Sequence, residues 1–351
     1  MKGFSTILLK WYDVHKKELP WRGEKDPYKI WISEIILQQT RIVQGWNYYL
    51  RFVERFPSVE CLASASQDEV LKQWQGLGYY SRARNLHAGA QYIMEQCGGV
   101  FPQTYDAILK IKGVGEYTAA AIASLGFGLP FAAVDGNVFR VLTRIFGIDT
   151  PIDTSKGKKE ITDLANQLLD KKQAGTFNQA MMDFGSLQCV PSNPDCENCY
   201  FGAICLAKAE NKQAVLPIKS QKLKIRNRYF YYLFIRNQQQ TFLQKRTKKD
   251  IWQGLYEFPL IESDVELEED VVFSHPYFVQ LFGKYSWQVD SISTVYRHQL
   301  SHQLIMAKFF TLSIPDEDAF FDANMTVLPL QEIDHYPVSR LTDKFLMENT
   351  K

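Results

Sequence analysis

The stretch that decides the fold is Ile111-Lys-Gly-Val-Gly-Glu-Tyr-Thr-Ala119, which lies between two segments of helical periodicity. Gly113 and Gly115 allow a tight turn of bare backbone, and a new helix is expected to start directly after them. The first N–H groups of a helix lack partners within the helix, so such a turn can bind an anion. Such a helix-hairpin-helix turn can hold a phosphate without reading a base, but an ordinary helix–turn–helix corner shows the same two glycines, and the glycines alone do not favour the phosphate site over that corner.

The composition of the chain changes after residue 210. Before that point apolar residues recur at helical spacing and no alternation typical of strands occurs. Beyond it, Tyr229–Ile235 and Leu304–Leu312 are rich in aromatic and β-branched residues over strand lengths. At 351 residues the chain is long enough for two domains. We predict an all-α domain over 1–210, a basic linker over 211–228 and an α+β domain over 229–351.

The linker carries a run of basic residues without an intervening acid: Lys212, Lys219, Lys222, Lys224, Arg226 and Arg228. The net charge of the whole chain is only +1. A near-neutral total is compatible with nucleic-acid binding when basic residues cluster on one face.

Four of the six cysteines follow the spacing C-x6-C-x2-C-x5-C: Cys189, Cys196, Cys199 and Cys205. Four thiolates in one short loop repel one another unless a cation neutralises them, so the spacing indicates a metal centre. It favours a [4Fe–4S] cluster over a zinc ribbon, which usually has two separated C-x2-C pairs; zinc remains the alternative. Clustered thiols, together with the lack of a signal peptide or a membrane-length apolar run, predict a cytoplasmic protein without a membrane partner.

Two acidic residues occupy unusual positions. Glu34 lies inside the apolar run Trp31-Ile-Ser-Glu-Ile-Ile-Leu37, so it either points to solvent or is a partly buried acid with a raised pKa. Asp135 precedes the helix that begins in Val134-Asp-Gly-Asn137, where an aspartate taken alone is a helix N-cap.

The cysteine spacing, the Gly113-Val114-Gly115 hairpin and the Asp135 helix start, in one chain, resemble the endonuclease III superfamily of DNA glycosylases. Three further segments resemble its MutY-type adenine glycosylases: Ser33-Glu34 through Leu37-Gln-Gln-Thr40, Gly76-Leu-Gly-Tyr79-Tyr-Ser-Arg82, and Gly115-Glu-Tyr117-Thr-Ala119. The resemblance covers essentially the whole chain.

This resemblance implies a monofunctional enzyme that removes adenine paired with 8-oxoguanine or guanine in double-stranded DNA and leaves an abasic site. Glu34 would protonate adenine N7 and later help to activate water, and Asp135 would stay ionised beside the developing sugar cation. Tyr117 and Asn137 would support the pair by hydrogen bonds. The hairpin of Gly113, Val114 and Gly115 would hold a phosphate. The residues that would enter the duplex once adenine is flipped are Gln39, Thr40, Leu77 and Tyr79.

The C-terminal residues resemble the Nudix-like lesion-recognition domain of the same family. Gly254-Leu-Tyr-Glu-Phe-Pro259 matches its signature, with Tyr256 in place of Trp. No Arg-Glu-x-x-Glu-Glu run follows, so we expect no Nudix Mg²⁺ chemistry. Leu300-Ser-His302 resembles the family's Phe-Ser-His loop, which implies that Ser301 and His302 contact 8-oxoguanine. Lys112 stands where the hairpin commonly has Pro.

Two other functions compete with this one. An endonuclease III-like lyase would carry a Schiff-base lysine where Tyr117 stands, and it would lack the long α+β extension. A non-catalytic DNA-binding or electron-transfer protein would not need Glu34 and Asp135 together. We therefore expect a glycosylase that acts on DNA as a monomer.

Overall fold

A computed structural model describes residues 3–220, 225–315 and 325–349. Contacts between Cα atoms divide the chain into two compact units. The first comprises Met1–Ser64 and Asn85–Lys222, and the second comprises Ala65–Arg84 and Leu223–Lys351. A short segment from the N-terminal half therefore folds with the C-terminal residues. Of the predicted linker, Lys222 and Lys224 lie outside the described residues.

Residues 3–220 form helices, and no strand occurs within them, as predicted. The helices are α1 (Phe4–His15), α2 (Pro27–Leu37), α3 (Ile42–Arg55), α4 (Val59–Ser64), α5 (Gln67–Gln73), α6 (Ser81–Cys97), α7 (Tyr105–Ile108), α8 (Glu116–Phe127), α9 (Gly136–Phe146), α10 (Ser155–Leu168), α11 (Ala174–Leu187) and α12 (Leu206–Ala209). Helix α5 belongs to the second unit, and α6 begins there and continues in the first. No helix in the described ranges has the length and apolar character needed to cross a membrane.

Helices α2 and α8 pack together at the centre of the first unit. Helix α8 has four alanines among its twelve residues, and these small side chains are buried against the bulky apolar residues of α2. Gly113 has φ 80°, and a Cβ there would lie 2.6 Å from that of Asn85. Only glycine suits both constraints, so the turn between α7 and α8 is a tight hairpin that leads directly into the buried helix.

The second unit contains one eight-stranded sheet. Its strands are β1 (Arg226–Asn237), β2 (Gln240–Lys245), β3 (Tyr256–Glu257), β4 (Leu260–Ser263), β5 (Gln288–Ile292), β6 (Tyr296–Gln299), β7 (Gln303–Ser313) and β8 (Met325–Pro329). The order along the sheet is β3-β2-β1-β7-β5, and β4, β6 and β8 pair with β1, β7 and β2. Strand β7 is parallel to β1 over the whole of its own length, from Gln303 opposite Arg226 to Ser313 opposite Arg236. Both predicted strands are thus confirmed.

Apolar groups cover both faces of this sheet. Phe310 faces a cluster formed with helices α13 (Glu269–Ser274) and α14 (Pro276–Phe282). Phe309, its neighbour on the opposite face, stacks at 4.0 Å on Phe345 of α15 (Arg340–Asn349). A 3-10 helix over Leu330–His335 precedes α15. Burial on both faces explains why β1 carries a continuous apolar run instead of alternation.

Candidate active site

Glu34 lies in the middle of α2 and is only 8% exposed. Its Oε2 accepts a hydrogen bond of 2.7 Å from the hydroxyl of Tyr117, which stands in the first turn of α8. The pKa of Glu34 is raised to about 7, mainly by burial and to a smaller extent by the charge of Asp135, while the Tyr117 hydrogen bond and the charge of Arg22 act against the rise. Of the two positions that the sequence allowed for Glu34, the buried acid is the one observed.

Tyr117 supplies a neutral donor to this acid. Burial raises the pKa of its phenol well above the ordinary value, and the charges of Glu34 and Asp135 raise it further. Its hydroxyl also lies 3.1 Å from the Met182 sulfur. The hairpin places this side chain, because Tyr117 is the second residue of the helix that begins directly after Gly115.

Asp135 caps the N-terminus of α9, as the sequence predicted for an isolated aspartate. Its Oδ1 accepts the backbone N–H groups of Asn137 and Val138, both at 2.9 Å, and its Oδ2 accepts the Asn137 side-chain amide at 2.7 Å. Burial raises the pKa of Asp135, while these hydrogen bonds and the Arg140 charge oppose the rise. Three donors fix the orientation of the carboxylate and favour its charged form.

The first unit contains a cavity of about 890 Å³, within the size range of about 300–1,000 Å³ typical of ligand sites. Eight residues predicted from the sequence line it: Glu34, Gln39, Thr40, Gly113, Gly115, Tyr117, Asp135 and Asn137. Val114 is buried and does not line it. Both carboxyl groups and their supporting side chains therefore face one space, beside the hairpin.

Arg22 and Asp183 also line the cavity, and sequence reasoning missed both. They form an ion pair at 2.5 Å, with Asp183 only 6% exposed. Burial raises the pKa of Asp183, and the Arg22 charge opposes the rise. The buried Nε of Arg22 has no hydrogen-bond partner among the residues that the structure describes. Such a donor is uncommon in a folded protein and suits a site that receives a polar ligand.

Arg140 connects the Asp135 side of the cavity with the cysteine loop. It donates to Asn137 Oδ1 at 2.8 Å, to Gly185 O at 2.6 Å and to Cys189 O at 2.8 Å. A Cβ on Gly185 would lie 2.6 Å from that of Asn137, so glycine is needed for this close approach. The sequence offered one signal for Arg140: it follows Asn137 by one helical turn.

The four clustered cysteines form no disulfide. Arg144, which is 3% exposed, donates to Cys189 Sγ at 3.5 Å and to Val190 O at 2.7 Å. Burial raises the pKa of the Cys199 thiol to about 11, and the other three cysteines contribute to the rise. Among residues 3–220, 225–315 and 325–349, no three His, Cys, Asp or Glu side chains form a group that could hold a single ion.

Leu77, Tyr79, Ser301 and His302 all lie in the second unit. Leu77 is buried, whereas Tyr79 is 49% exposed and has φ 46° in a turn with Gly76 and Gly78. The hydroxyls of Tyr79 and Ser301 lie 2.5 Å apart. His302 is exposed, and its carbonyl accepts the backbone N–H of Arg226. The structure therefore joins one residue of the Gly-Leu-Gly-Tyr turn to one residue of the Leu-Ser-His loop.

Two protein families match separate parts of the chain. Residues 32–169 match the HhH-GPD superfamily of base excision DNA repair proteins, and residues 231–348 match the NUDIX domain. The first range contains both carboxyl groups and the hairpin, and the second contains most of the sheet.

Relatives that match most of the chain share one name, adenine DNA glycosylase. The adenine DNA glycosylase of Buchnera aphidicola subsp. Schizaphis graminum is 36% identical over 267 residues, which cover 76% of this chain and 77% of the relative. That of Buchnera aphidicola subsp. Baizongia pistaciae is 33% identical over 329 residues, covering 92% and 90%. The chain belongs to the adenine DNA glycosylase family. The Homo sapiens member is 40% identical over 223 residues, covering 61% of this glycosylase and 41% of its own length.

Solved structures agree on the fold of the helical part. A thermostable thymine-DNA glycosylase is 31% identical with a TM-score of 0.56, and covers 60% of this chain and 96% of its own. A non-covalent endonuclease III–DNA complex, at 22% identity and a TM-score of 0.52, covers 60% and 95%. The predicted helix-hairpin-helix glycosylase domain followed by a Nudix-like α+β domain is confirmed. This glycosylase is an enzyme of DNA base-excision repair.

The raised pKa of Glu34 makes the stability of this glycosylase depend on pH. The folded-state pKa is about 7 and the ordinary value is 4.5, so the neutral acid stabilises the fold fully below pH 4.5. That contribution is lost as the pH rises to the folded-state value. Glu34→Gln does not titrate at this position. When the pH is raised from about 5 to about 8, its unfolding free energy should therefore increase by about 2.5 kcal/mol relative to that of wild type. Calorimetric melting of both proteins at these two pH values checks this.

Glu60→Gln is the matched control, because Glu60 is exposed in the first turn of α4. Its melting temperature should follow that of wild type at both pH values. The same pH dependence in wild type and Glu34→Gln would contradict a neutral, buried Glu34.

Proposed function

We propose that this glycosylase hydrolyses the N-glycosidic bond of adenine paired with 8-oxoguanine or guanine in double-stranded DNA, leaving an abasic site. One observation carries the proposal: a buried acid with a pKa of about 7 and a hydrogen-bonded aspartate line the same cavity. Breaking this bond puts positive charge on the sugar and negative charge on the leaving base, so one acid and one anion meet both demands.

Glu34 is the proton donor in this mechanism. A carboxyl group with a pKa of about 7 is partly protonated at neutral pH and still acidic enough to give up its proton. The hydroxyl of Tyr117 is bonded to Oε2, which leaves Oε1 to carry the proton toward the base. After the base has left, the same carboxylate is placed to take a proton from the attacking water.

Asp135 is the anion that faces the sugar cation. Its backbone and side-chain donors hold both oxygens in place, so little reorganisation accompanies the development of charge on the sugar. Asn137 is held in turn by Arg140, which fixes the amide that bonds to Oδ2. Arg140 thus acts as a positioning residue through Asn137.

The product should be an intact abasic strand. A lyase of this superfamily needs an amine that attacks the sugar, and the described residues that line the cavity include no lysine. Tyr117 occupies the position where the lyase relatives carry their lysine, and its phenol is a neutral donor. The chemistry available in the cavity is hydrolysis without a Schiff base.

Contacts to DNA divide between the two units. In the first, the Gly113-Val114-Gly115 hairpin would hold a phosphate, and Gln39 and Thr40 line the cavity beside it. In the second, Tyr79 and Leu77 would enter the duplex, for which the buried Leu77 side chain must first become exposed. Ser301 and His302 would contact the base opposite the adenine.

The cysteine loop suits a [4Fe–4S] cluster. Cys189, Cys199 and Cys205 pack against one core, and thiolates gathered in one short loop would need a cation to neutralise them. A cubane takes one thiolate on each of four irons, so its ligands need not converge on a single ion. When bound, the cluster would supply four iron–thiolate bonds that cross-link the loop. Arg144 would donate to the Cys189 sulfur.

Glu34→Gln tests the proposed acid. The variant should still bind the duplex, and its single-turnover release of adenine from an A:8-oxoguanine pair should fall by a factor of about 10²–10⁴, because the proton donor is lost. Wild-type product should break only after alkali or heat. Glu60→Gln should behave as wild type. Release by Glu34→Gln within about tenfold of wild type would exclude Glu34 as the acid.

Iron content tests the cofactor. Purified protein should be brown and contain about four irons per chain. Cys199→Ser should lose iron and colour, whereas Cys61→Ser, which changes an exposed cysteine outside the loop, should keep both. Stoichiometric zinc without iron after anaerobic purification would show that the zinc alternative is correct.

Ser301→Ala tests recognition of the opposite base. We expect the ratio of adenine release from A:8-oxoguanine to release from A:G to fall by the equivalent of about 1–3 kcal/mol, the usual scale of a base contact. Ser274→Ala, an exposed serine on α13 of the same unit, is the control. An unchanged ratio in Ser301→Ala would remove Ser301 from lesion recognition. Deleting the C-terminal residues is a poorer test, since Ala65–Arg84 would lose its partners.

A further inference from the structure

The segment Ala65–Arg84 is joined to the sheet of the second unit by an acid on α5. Asp68 lies in the first turn of this helix, and its Oδ1 pairs with Lys245 Nζ at 2.5 Å. Its Oδ2 accepts the Tyr256 hydroxyl at 3.0 Å. Lys245 and Tyr256 stand opposite each other on β2 and β3, and the Lys245 nitrogen lies 5.2 Å from the Tyr256 ring centroid. Each of the three side chains therefore contacts the other two.

The backbone at Gly254 brings the residues before Tyr256 close to α5. Gly254 has φ 84°, and a Cβ there would lie 3.2 Å from Leu71 Cδ1, so the turn that leads to Tyr256 runs directly against α5. Burial, followed by Asp68, raises the pKa of Tyr256 to about 12, so its hydroxyl stays a donor at every physiological pH. The family signature described above has tryptophan at this position, which has no hydroxyl, whereas this chain has Tyr256.

The far end of the segment has its own attachment to the C-terminal residues. Gln75 accepts the Val338 backbone N–H at 3.3 Å and donates to Asp343 Oδ1 at 3.2 Å. The Tyr80 hydroxyl donates to the Val338 carbonyl at 3.3 Å. Helix α5 is thus fixed at its first turn by Asp68 and at its end by Gln75.

The turn that follows α5 is braced within itself. Trp74 Nε1 donates to Gly78 O at 3.1 Å, and Arg82 Nη2 donates to the same oxygen at 3.2 Å. Gly76, Gly78 and Tyr79 all have positive φ. A turn held this firmly moves with α5. Tyr79 at the tip of the turn is half exposed, and its hydroxyl is hydrogen-bonded to the hydroxyl of Ser301. The position of Tyr79 over Ser301 is therefore set by where α5 is attached.

We propose that Asp68 is a positioning residue for lesion selectivity: by joining α5 to Lys245 and Tyr256, it keeps the Tyr79 hydroxyl on Ser301. This inference rests on the proposed contact of Ser301 with the base opposite adenine. Asp68 lies outside the residues that line the active-site cavity, so it affects which base pair is accepted and leaves bond cleavage unchanged.

The test uses the full-length, iron-loaded protein and compares single-turnover adenine release from A:8-oxoguanine and A:G duplexes. In Asp68→Ala the ratio of the two rates should fall about three- to tenfold, with the rate on A:G within about twofold of wild type. A half-exposed ion pair adds little to stability, so the melting temperature should hardly change. Tyr256→Phe, which removes only the hydroxyl, should lower the ratio in the same direction and serves if Asp68→Ala folds poorly.

Asp106→Ala is the matched control. Asp106 and Asp68 both stand two residues after a capping hydroxyl residue, in the first turn of α7 and α5 respectively. Both variants lose the same favourable charge at a helix N-terminus. Asp106→Ala should leave the ratio unchanged, because the effect of Asp68 comes from Lys245 and Tyr256.

The double variant Asp68→Ala/Ser301→Ala distinguishes positioning from a general loss of structure. If Asp68 acts through Ser301, the double variant should have the ratio of Ser301→Ala alone. Hydrogen exchange of residues 76–82 should also rise in Asp68→Ala. The inference would be overturned if the losses in rate ratio of the two single variants multiply in the double variant. It would also be overturned if Asp68→Ala changes neither the hydrogen exchange of residues 76–82 nor the rate ratio. The role of Ser301 would stand in both cases. An unchanged ratio in Ser301→Ala would overturn both.

Discussion

The cost of burying a carboxylate at Glu34 shapes the active site. Glu34 stands among apolar residues of α2, and only one described hydrogen bond, from Tyr117, reaches it. That donor favours the charged form, yet burial outweighs it and the pKa rises to about 7. The alanines of α8 contribute, because small side chains bury the helix that carries Tyr117 against α2. Packing in the first unit thus produces a buried acid that is partly protonated at neutral pH.

Asp135 has more hydrogen-bond donors than Glu34 within the same cavity. It is also buried, and burial raises its pKa too, but two backbone N–H groups and the Asn137 amide stabilise its anion. The helix N-cap thus opposes the effect of burial at Asp135 with three donors, whereas a single described donor opposes it at Glu34. Arg140 extends this arrangement to the cysteine loop, since it bonds to Asn137 and to the carbonyl of Cys189. The geometry of the anion is coupled to the loop by one side chain.

The local sequence pattern predicted the features of this site that depend on residues close together in the chain. The glycines of the hairpin, the cap at Asp135 and the apolar helix around Glu34 are all short-range features, and the structure has each of them. Arg22 and Asp183 escaped prediction because 161 residues separate them and neither stands in an unusual local setting. The sequence alone suggested two settings for Glu34, and only packing of α2 against α8 decides between them. Contacts between residues far apart in the sequence could be predicted only where the family resemblance implied them.

The same limit explains the segment Ala65–Arg84. By position in the sequence it lies within the predicted range 1–210, together with both carboxyl groups. By contacts it belongs with the sheet, because Asp68, Gln75 and Tyr80 all bond to residues beyond 240. Tyr79 therefore has its hydrogen-bond partner in Ser301, on a loop more than 200 positions later. The residues proposed for bond cleavage lie in one unit, and those proposed for sensing the opposite base lie in the other. Selectivity can then change through the attachment of α5 while the acid, the anion and their hydrogen bonds stay as they are.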